Sequence, residues 1–243
     1  MTYGVGLLLD AGLVFMSDTR TNSGLDNISQ YRKMYNWAVS GERTITILAA
    51  GNLATTQTVA GLLDDRTQVL ADRSPSILEA PTMFQVAQLV GQTLTEAVST
   101  HGQQSTDSTF SATLILGGQI GAMAPRMFLI YPEGNFVEAG ADTPFLQIGE
   151  RKYGKPIIVR AFNPAMSFED AIKLLLVSFD STMKANLSVG APLDFHVYER
   201  DSLEAGIVGR IDDADPYFRS LSDNWSASIT TAFTNLPDFD LKR

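Results

Sequence analysis

Cysteine is absent from all 243 residues, which excludes disulfides, thiol nucleophiles and thiolate metal sites together. Histidine is scarce: His101 and His196 cannot build a histidine-rich zinc site, and His196 falls in an alternating strand pattern that suits a core position. Basic runs are missing as well. The chain carries 18 Lys and Arg against 27 Asp and Glu, a net charge of −9, so a phosphate backbone is a poor partner and no nucleic acid is expected. No apolar run approaches the ~20 residues of a membrane span, and residues 1–15 lack the basic start and small-residue cleavage site of a signal peptide. A soluble, cytoplasmic protein without membrane contact is expected. There is no linker, low-complexity tract or 20–50-residue repeat, so residues 1–243 are read as a single domain with enough apolar content (44%) for a large core.

Two motifs promise ligands and fail on inspection. Gly149–Lys155 has phosphate-loop spacing, but Pro156 follows in place of the Ser or Thr hydroxyl that would hold Mg²⁺. Asp212-Asp213-Ala214-Asp215 lacks the glycine and closing Glu of a calcium loop and reads as a turn capping the next helix. No cofactor and no metal are expected.

What is present is patterned. Tyr3–Leu9 and Leu13–Asp18 are short apolar runs around Asp10-Ala11-Gly12, a β-hairpin whose first strand starts at the head of the chain. Further strands are predicted at Met34–Trp37, Thr44–Ala50, Thr109–Leu116, Arg126–Tyr131, Phe136–Ala139, Phe145–Ile148, Leu193–Glu199 and Gly206–Ile211, with Gly117-Gly118 taken as a link. Apolar spacing predicts amphipathic helices over Leu53–Val69 and Met83–Val98, the second capped by Thr82. A third helix runs from a Ser167 cap to about Asn186, and a closing one spans Pro216–Phe233. Runs of strands followed by runs of helices, without regular βα alternation, indicate an α+β fold: two antiparallel sheets covered by helices on both outer faces.

The chemistry concentrates at the start. Thr2 is small enough behind Met1 for the initiator to be trimmed, which leaves a threonine with a free α-amine. An amine with a pKa of about 8 can take the proton of its own hydroxyl, so one residue supplies nucleophile and base. The hairpin brings Thr2 and Asp18 side by side, and the strand from Met34 brings Lys33 to both. Lys33, held by Asp18, would lower the pKa of the Thr2 hydroxyl.

This arrangement resembles the N-terminal nucleophile hydrolases, and more narrowly the proteasome β-type subunits. Ser17-Asp18-Thr19-Arg20 looks like their Asp-Thr-Arg element, Ala49-Ala50-Gly51-Asn52 like the segment whose glycine N–H helps form the oxyanion hole, and Ser188-Val189-Gly190 like the Ser-Gly element supporting the amine. Met1-Thr2-Tyr3, Asp10–Phe15, Tyr31–Met34, Ser40–Arg43, Gly51–Ala54 and Ile148–Pro156 resemble most closely the bacterial ancestral β-subunit family, Anbu, over roughly residues 1–211. The resemblance implies a four-layer αββα sandwich and a threonine peptidase in which Thr2, Asp18, Lys33, Gly51 and Ser188 act. Thr21, Tyr31, Tyr35, Ala49 and Leu53 would line a moderately apolar specificity pocket. It further implies a polypeptide substrate and a homo-oligomer, a ring or open-ring stack, with room for an unfoldase partner. Ala185 stands where proteasome subunits carry an acid, and Glu150 where they carry a serine. These departures keep two alternatives open: a non-proteolytic structural or binding assembly, and a small-molecule amidohydrolase of the same nucleophile class.

Overall fold

The computed structural model describes residues 1–22, 28–68, 75–102 and 110–241. Strands β1 (Tyr3–Leu9) and β2 (Gly12–Asp18) form the expected hairpin, with Gly4 opposite Ser17 at its open end. A small ladder of β3 (Arg20–Asn22) and β4 (Ile28–Gln30) follows; three-residue strands carry too little alternation to be read from sequence. Next come β5 (Met34–Val39), β6 (Arg43–Gly51), helices α1 (Leu53–Asp65) and α2 (Met83–Gly102), and strands β7 (Ala112–Ile120), β8 (Arg126–Ile130), β9 (Phe136–Glu138) and β10 (Phe145–Gly149). Helices α3 (Lys155–Ala161) and α4 (Phe168–Ala185), strands β11 (Leu193–Glu199) and β12 (Ile207–Ile211) and helix α5 (Pro216–Thr234) complete the chain.

The two large sheets are antiparallel throughout, in the orders β10-β1-β2-β11-β12 and β5-β6-β7-β8-β9. Three apolar clusters define four layers. Val59, Leu63, Val86, Val90 and Leu94 of α1 and α2 pack on Ile45, Ile47, Leu114 and Leu116. Leu13, Phe15, Leu48, Ile115, Met127 and Ile148 fill the space between the sheets. Val5, Leu7 and Leu193 meet Leu175, Leu176 and Phe179 of α4. The αββα sandwich is thus as expected, and β1 is buried on both faces because each face belongs to a different cluster. Caps set the helix starts: Asn52, Ser167 and Asp215 accept from the N–H groups of Thr55, Asp170 and Phe218 at 3.1, 3.1 and 2.9 Å, and Thr82 accepts from Gln85 at 3.2 Å.

Some boundaries need correction. Gly117-Gly118 is not a link but the middle of β7, which runs on to Ile120. The ring of Phe15 from the facing sheet occupies the place of a Cβ at Gly117, and the Thr44 main-chain carbonyl of neighbouring β6 that at Gly118. The helix expected to reach Val69 stops at Asp65, since Asp64-Asp65-Arg66-Thr67 adds no apolar residue to its inner face; Val69 and Thr109 lie outside the described residues. Helix α3, seven residues long, is too short to show periodicity. Among the described residues, no helix is long and apolar enough to cross a membrane.

His196 lies fully buried between the sheets, stacked on Phe15 with ring centroids 6.1 Å apart. Its Nε2–H donates to the Ala205 carbonyl at 2.8 Å, and Nδ1 meets the Thr46 hydroxyl at 2.7 Å. Burial holds its pKa below the ordinary 6.5, against the opposing pull of the Ala205 carbonyl. The unfolded chain binds this proton first, so its contribution to stability is present above pH 6.5 and declines as pH falls below it. Urea midpoints measured from pH 7.5 down to pH 5 are expected to decrease, and His196→Asn to flatten that decline while lowering the whole curve.

Candidate active site

The register of β1 and β2 builds the site from its floor. One residue beyond the last pair, Gly4↔Ser17, the Tyr3 main-chain N–H donates to Asp18 Oδ1 at 3.1 Å. Lys33, just before β5, reaches the same oxygen with Nζ at 2.9 Å and the Arg20 carbonyl at 2.5 Å. From a loop 172 positions away, the Gly190 N–H approaches Asp18 Oδ2 at 3.4 Å. Asp18 is 0% exposed and the Lys33 side chain 6%. Burial pushes the Asp18 carboxyl up, opposed by Lys33 and the two backbone donors. The same burial lowers the Lys33 ammonium, opposed by Asp18.

Thr2 is buried directly ahead of β1, while Met1 is exposed at the mouth of the site. Burial and then the Lys33 charge hold the terminal ammonium of Met1 below its ordinary pKa of 8.0; Asp18 pulls the other way. The Thr2 carbonyl accepts from the Glu150 N–H at 2.7 Å. Gly149 permits this approach: its φ is +75°, and a Cβ there would overlap the Thr2 carbonyl oxygen. One residue on, the Tyr3 hydroxyl accepts from Gln147 Nε2 at 2.6 Å and bonds to Ser178 Oγ at 2.7 Å. Burial pushes that phenol up to about 12. Strand β1 is thereby pinned immediately behind the threonine.

Met1, Thr2, Thr21, Lys33, Ala49, Gly51, Asn52, Leu53 and Thr56 enclose a cavity of about 330 Å³. The Ala49 N–H bonds to the Lys33 carbonyl at 2.8 Å, and the two-residue alternation of a strand turns the Gly51 N–H to the same edge of β6. Because β5 begins only at Met34, that edge opens into the cavity at Gly51. The site therefore offers a hydroxyl, a buried cation and a main-chain donor around one space, the elements of nucleophilic attack with oxyanion stabilisation.

Of the residues singled out from sequence, Thr2, Lys33, Gly51, Thr21, Ala49 and Leu53 line this cavity, and Asp18 lies beneath it. Tyr31, Tyr35 and Ser188 do not line it. Tyr31 is 40% exposed, with its N–H tied to the Thr19 carbonyl, and Tyr35 packs against the α1–α2 core while bordering a neighbouring groove. Ser188 is half-buried, and its N–H donates to Asn186 Oδ1 at 2.9 Å; the contact to Asp18 from this loop is made by Gly190. Asn52 and Thr56 were missed, although Asn52 is legible as the cap of α1. The contacts of Asp18 with the backbones of Tyr3 and Gly190 have no sequence signal.

Two antiparallel sheets packed between helical layers, with a threonine at the head of an inner strand beside a buried Lys–Asp pair, define a proteasome-like fold of the N-terminal nucleophile type. Solved structures narrow the class. Anbu, the ancestral β-subunit, from Yersinia bercovieri is 41% identical with a TM-score of 0.92, the match covering 99% of this chain and 100% of that one. Anbu from Hyphomicrobium sp. strain MC1 is 47% identical with a TM-score of 0.90, covering 98% and 100%. The helical assembly of the Anbu complex from Pseudomonas aeruginosa gives 41% identity and a TM-score of 0.92, covering 98% of each chain. The chain belongs to the Anbu family. No protein-family model and no curated protein matches it.

Proposed function

We propose that this protein is a threonine peptidase that hydrolyses peptide bonds with Thr2 after removal of Met1, within a homo-oligomeric assembly. The observation that carries the reading is the buried Lys33–Asp18 pair beneath a cavity that holds both Thr2 and Gly51. In the first step the Thr2 hydroxyl oxygen bonds to the substrate carbonyl carbon and its proton passes to the Thr2 α-amine. The carbonyl oxygen, now negative, is met by the Gly51 N–H. Collapse breaks the C–N bond, the departing amine takes the proton from the α-ammonium, and an ester to Thr2 remains. Water then attacks that ester, again giving its proton to the amine, and releases the acid and the hydroxyl. Lys33 is the fixed cation that favours charge on the hydroxyl oxygen, and Asp18 holds it in place.

Thr21, Ala49 and Leu53 give the substrate cavity a moderately apolar character suited to apolar residues ahead of the scissile bond. Assembly is proposed on the likeness to the helical Pseudomonas aeruginosa complex, since copies arranged around shared space would shield such a site from folded proteins. The test is the intact mass of the purified protein with and without a peptide epoxyketone, a reagent that bonds to both the hydroxyl and the amine of an N-terminal threonine. A mass short by one methionine and a single adduct are expected. A trimmed protein that takes no adduct would instead support a non-proteolytic assembly.

A further inference from the structure

Glu150 stands immediately after β10 and is buried although it is a carboxylate. Its Oε2 accepts from Asn186 Nδ2 at 2.9 Å and its Oε1 from the Lys152 N–H at 3.3 Å. Neither donor is charged, and among the described residues Glu150 has no cation at ion-pair distance. A buried carboxylate without a cation is costly, so its retention beside the site calls for a partner.

The geometry identifies that partner. Glu150 and Thr2 adjoin just beyond the end of the β1–β10 ladder: its last pair is Tyr3↔Gly149, and the Glu150 N–H bonds to the Thr2 carbonyl. Main-chain N–H groups alternate between the two edges of a strand, and the Tyr3 N–H points to Asp18 on the β2 side, so the Thr2 nitrogen points to the β10 side, where Glu150 stands. The Asn186 amide nitrogen that holds the Glu150 carboxylate is also 3.9 Å from Met1 Sδ, so Met1 occupies the space beside this pair. Removing Met1 both clears that space and creates a cation, the α-ammonium of Thr2.

We propose that Glu150, oriented by Asn186, is the positioning carboxylate that receives the α-ammonium of Thr2 and holds the amine beside its own hydroxyl. This rests on the proposed trimming of Met1. The charged groups around the amine are then Lys33 and Asp18, engaged with each other, and Glu150 on the other flank; Arg20 is turned away to the Leu187 carbonyl. Lys33 disfavours the ammonium and Glu150 favours it, so the carboxylate opposes the effect of Lys33 on the amine. With its N–H bonds given to Glu150, the deprotonated amine keeps its lone pair for the hydroxyl proton.

The test uses full-length protein prepared by cutting a tag directly before Thr2, with the α-amine pKa read by NMR titration of ¹⁵N-threonine-labelled samples. Glu150→Gln retains the main-chain bond to Thr2 and an acceptor for Asn186 but removes the charge. It is expected to lower the amine pKa by about one unit or more, and Asn186→Ala to lower it less. An amine pKa within about 0.3 unit of wild type in both variants would overturn the assignment. The two proposals fail separately. A Glu150-dependent pKa in a protein that takes no epoxyketone sinks the peptidase and leaves the pairing, whereas an adduct on a protein whose amine titrates alike with and without Glu150 does the reverse.

Discussion

Lys33→Met is expected to reduce the unfolding free energy by about 3–5 kcal/mol, the cost of leaving a buried charge without its partner. Asp18 is completely buried and would keep only the Tyr3 N–H and the longer Gly190 contact. Methionine matches the length of the lysine stem, so packing is largely preserved and the loss reports the stranded carboxylate. Burial already pushes the Asp18 carboxyl up, and without Lys33 it moves further up. A folded-state pKa above the unfolded one means that the native variant holds its proton longer. Its stability therefore falls as pH rises from the unfolded carboxyl pKa through the raised folded one, and the variant is least impaired in acid. Adding Asp18→Asn should recover part of the loss, because the uncompensated charge is then gone. Guanidinium midpoints of the two single variants and the double variant between pH 4 and pH 8 measure all three effects. A Lys33→Met protein as stable as wild type at pH 7 would show that the pair is not what holds the floor of the site.

Thr2→Ala separates chemistry from structure. On the proposed mechanism, in the trimmed protein it is expected to lower peptide hydrolysis by a factor on the order of 10⁶, the scale seen when a nucleophile is deleted from a hydrolase whose groups act as a unit. The fold should scarcely register the change. The contacts that anchor this end of β1 are the Thr2 carbonyl to Glu150, the Tyr3 N–H to Asp18 and the Tyr3 hydroxyl to Gln147 and Ser178, and an alanine keeps every one. A stability loss of about 1 kcal/mol or less is expected. Peptide hydrolysis and thermal unfolding measured on the same preparation check this. Substantial residual turnover would place the nucleophile elsewhere.

Local signals account for what was legible in the sequence. The turn at Asp10-Ala11-Gly12 fixes the hairpin and with it the proximity of Thr2 and Asp18. The apolar spacing of Val86, Val90 and Leu94 fixes the face of α2, and the caps at Thr82 and Ser167 fix two helix starts. What escaped depends on contacts between distant segments. Gly117-Gly118 looks like punctuation until Phe15 from the facing sheet is seen to need the room at Gly117 and the Thr44 carbonyl that at Gly118. Glu150 and Asn186 are 36 positions apart, and nothing near either residue predicts their bond. Tyr31 and Tyr35 do not line the cavity that holds Thr2, and Tyr35 packs instead against the α1–α2 core next to Ala49 and Thr56.

The position of β1 in its sheet sets when the site can exist. The head of the chain pairs on one side with β2, available at once, and on the other with β10, which ends at Gly149. Strand β2 in turn waits for β11, and Asp18 for Gly190. Closing such long loops is slow relative to forming the hairpin. In synthesis from the N-terminus, β1 is thus made well before the strand and loop that enclose it. The surroundings of Thr2 and Asp18 are complete only once the chain has been made as far as Gly190.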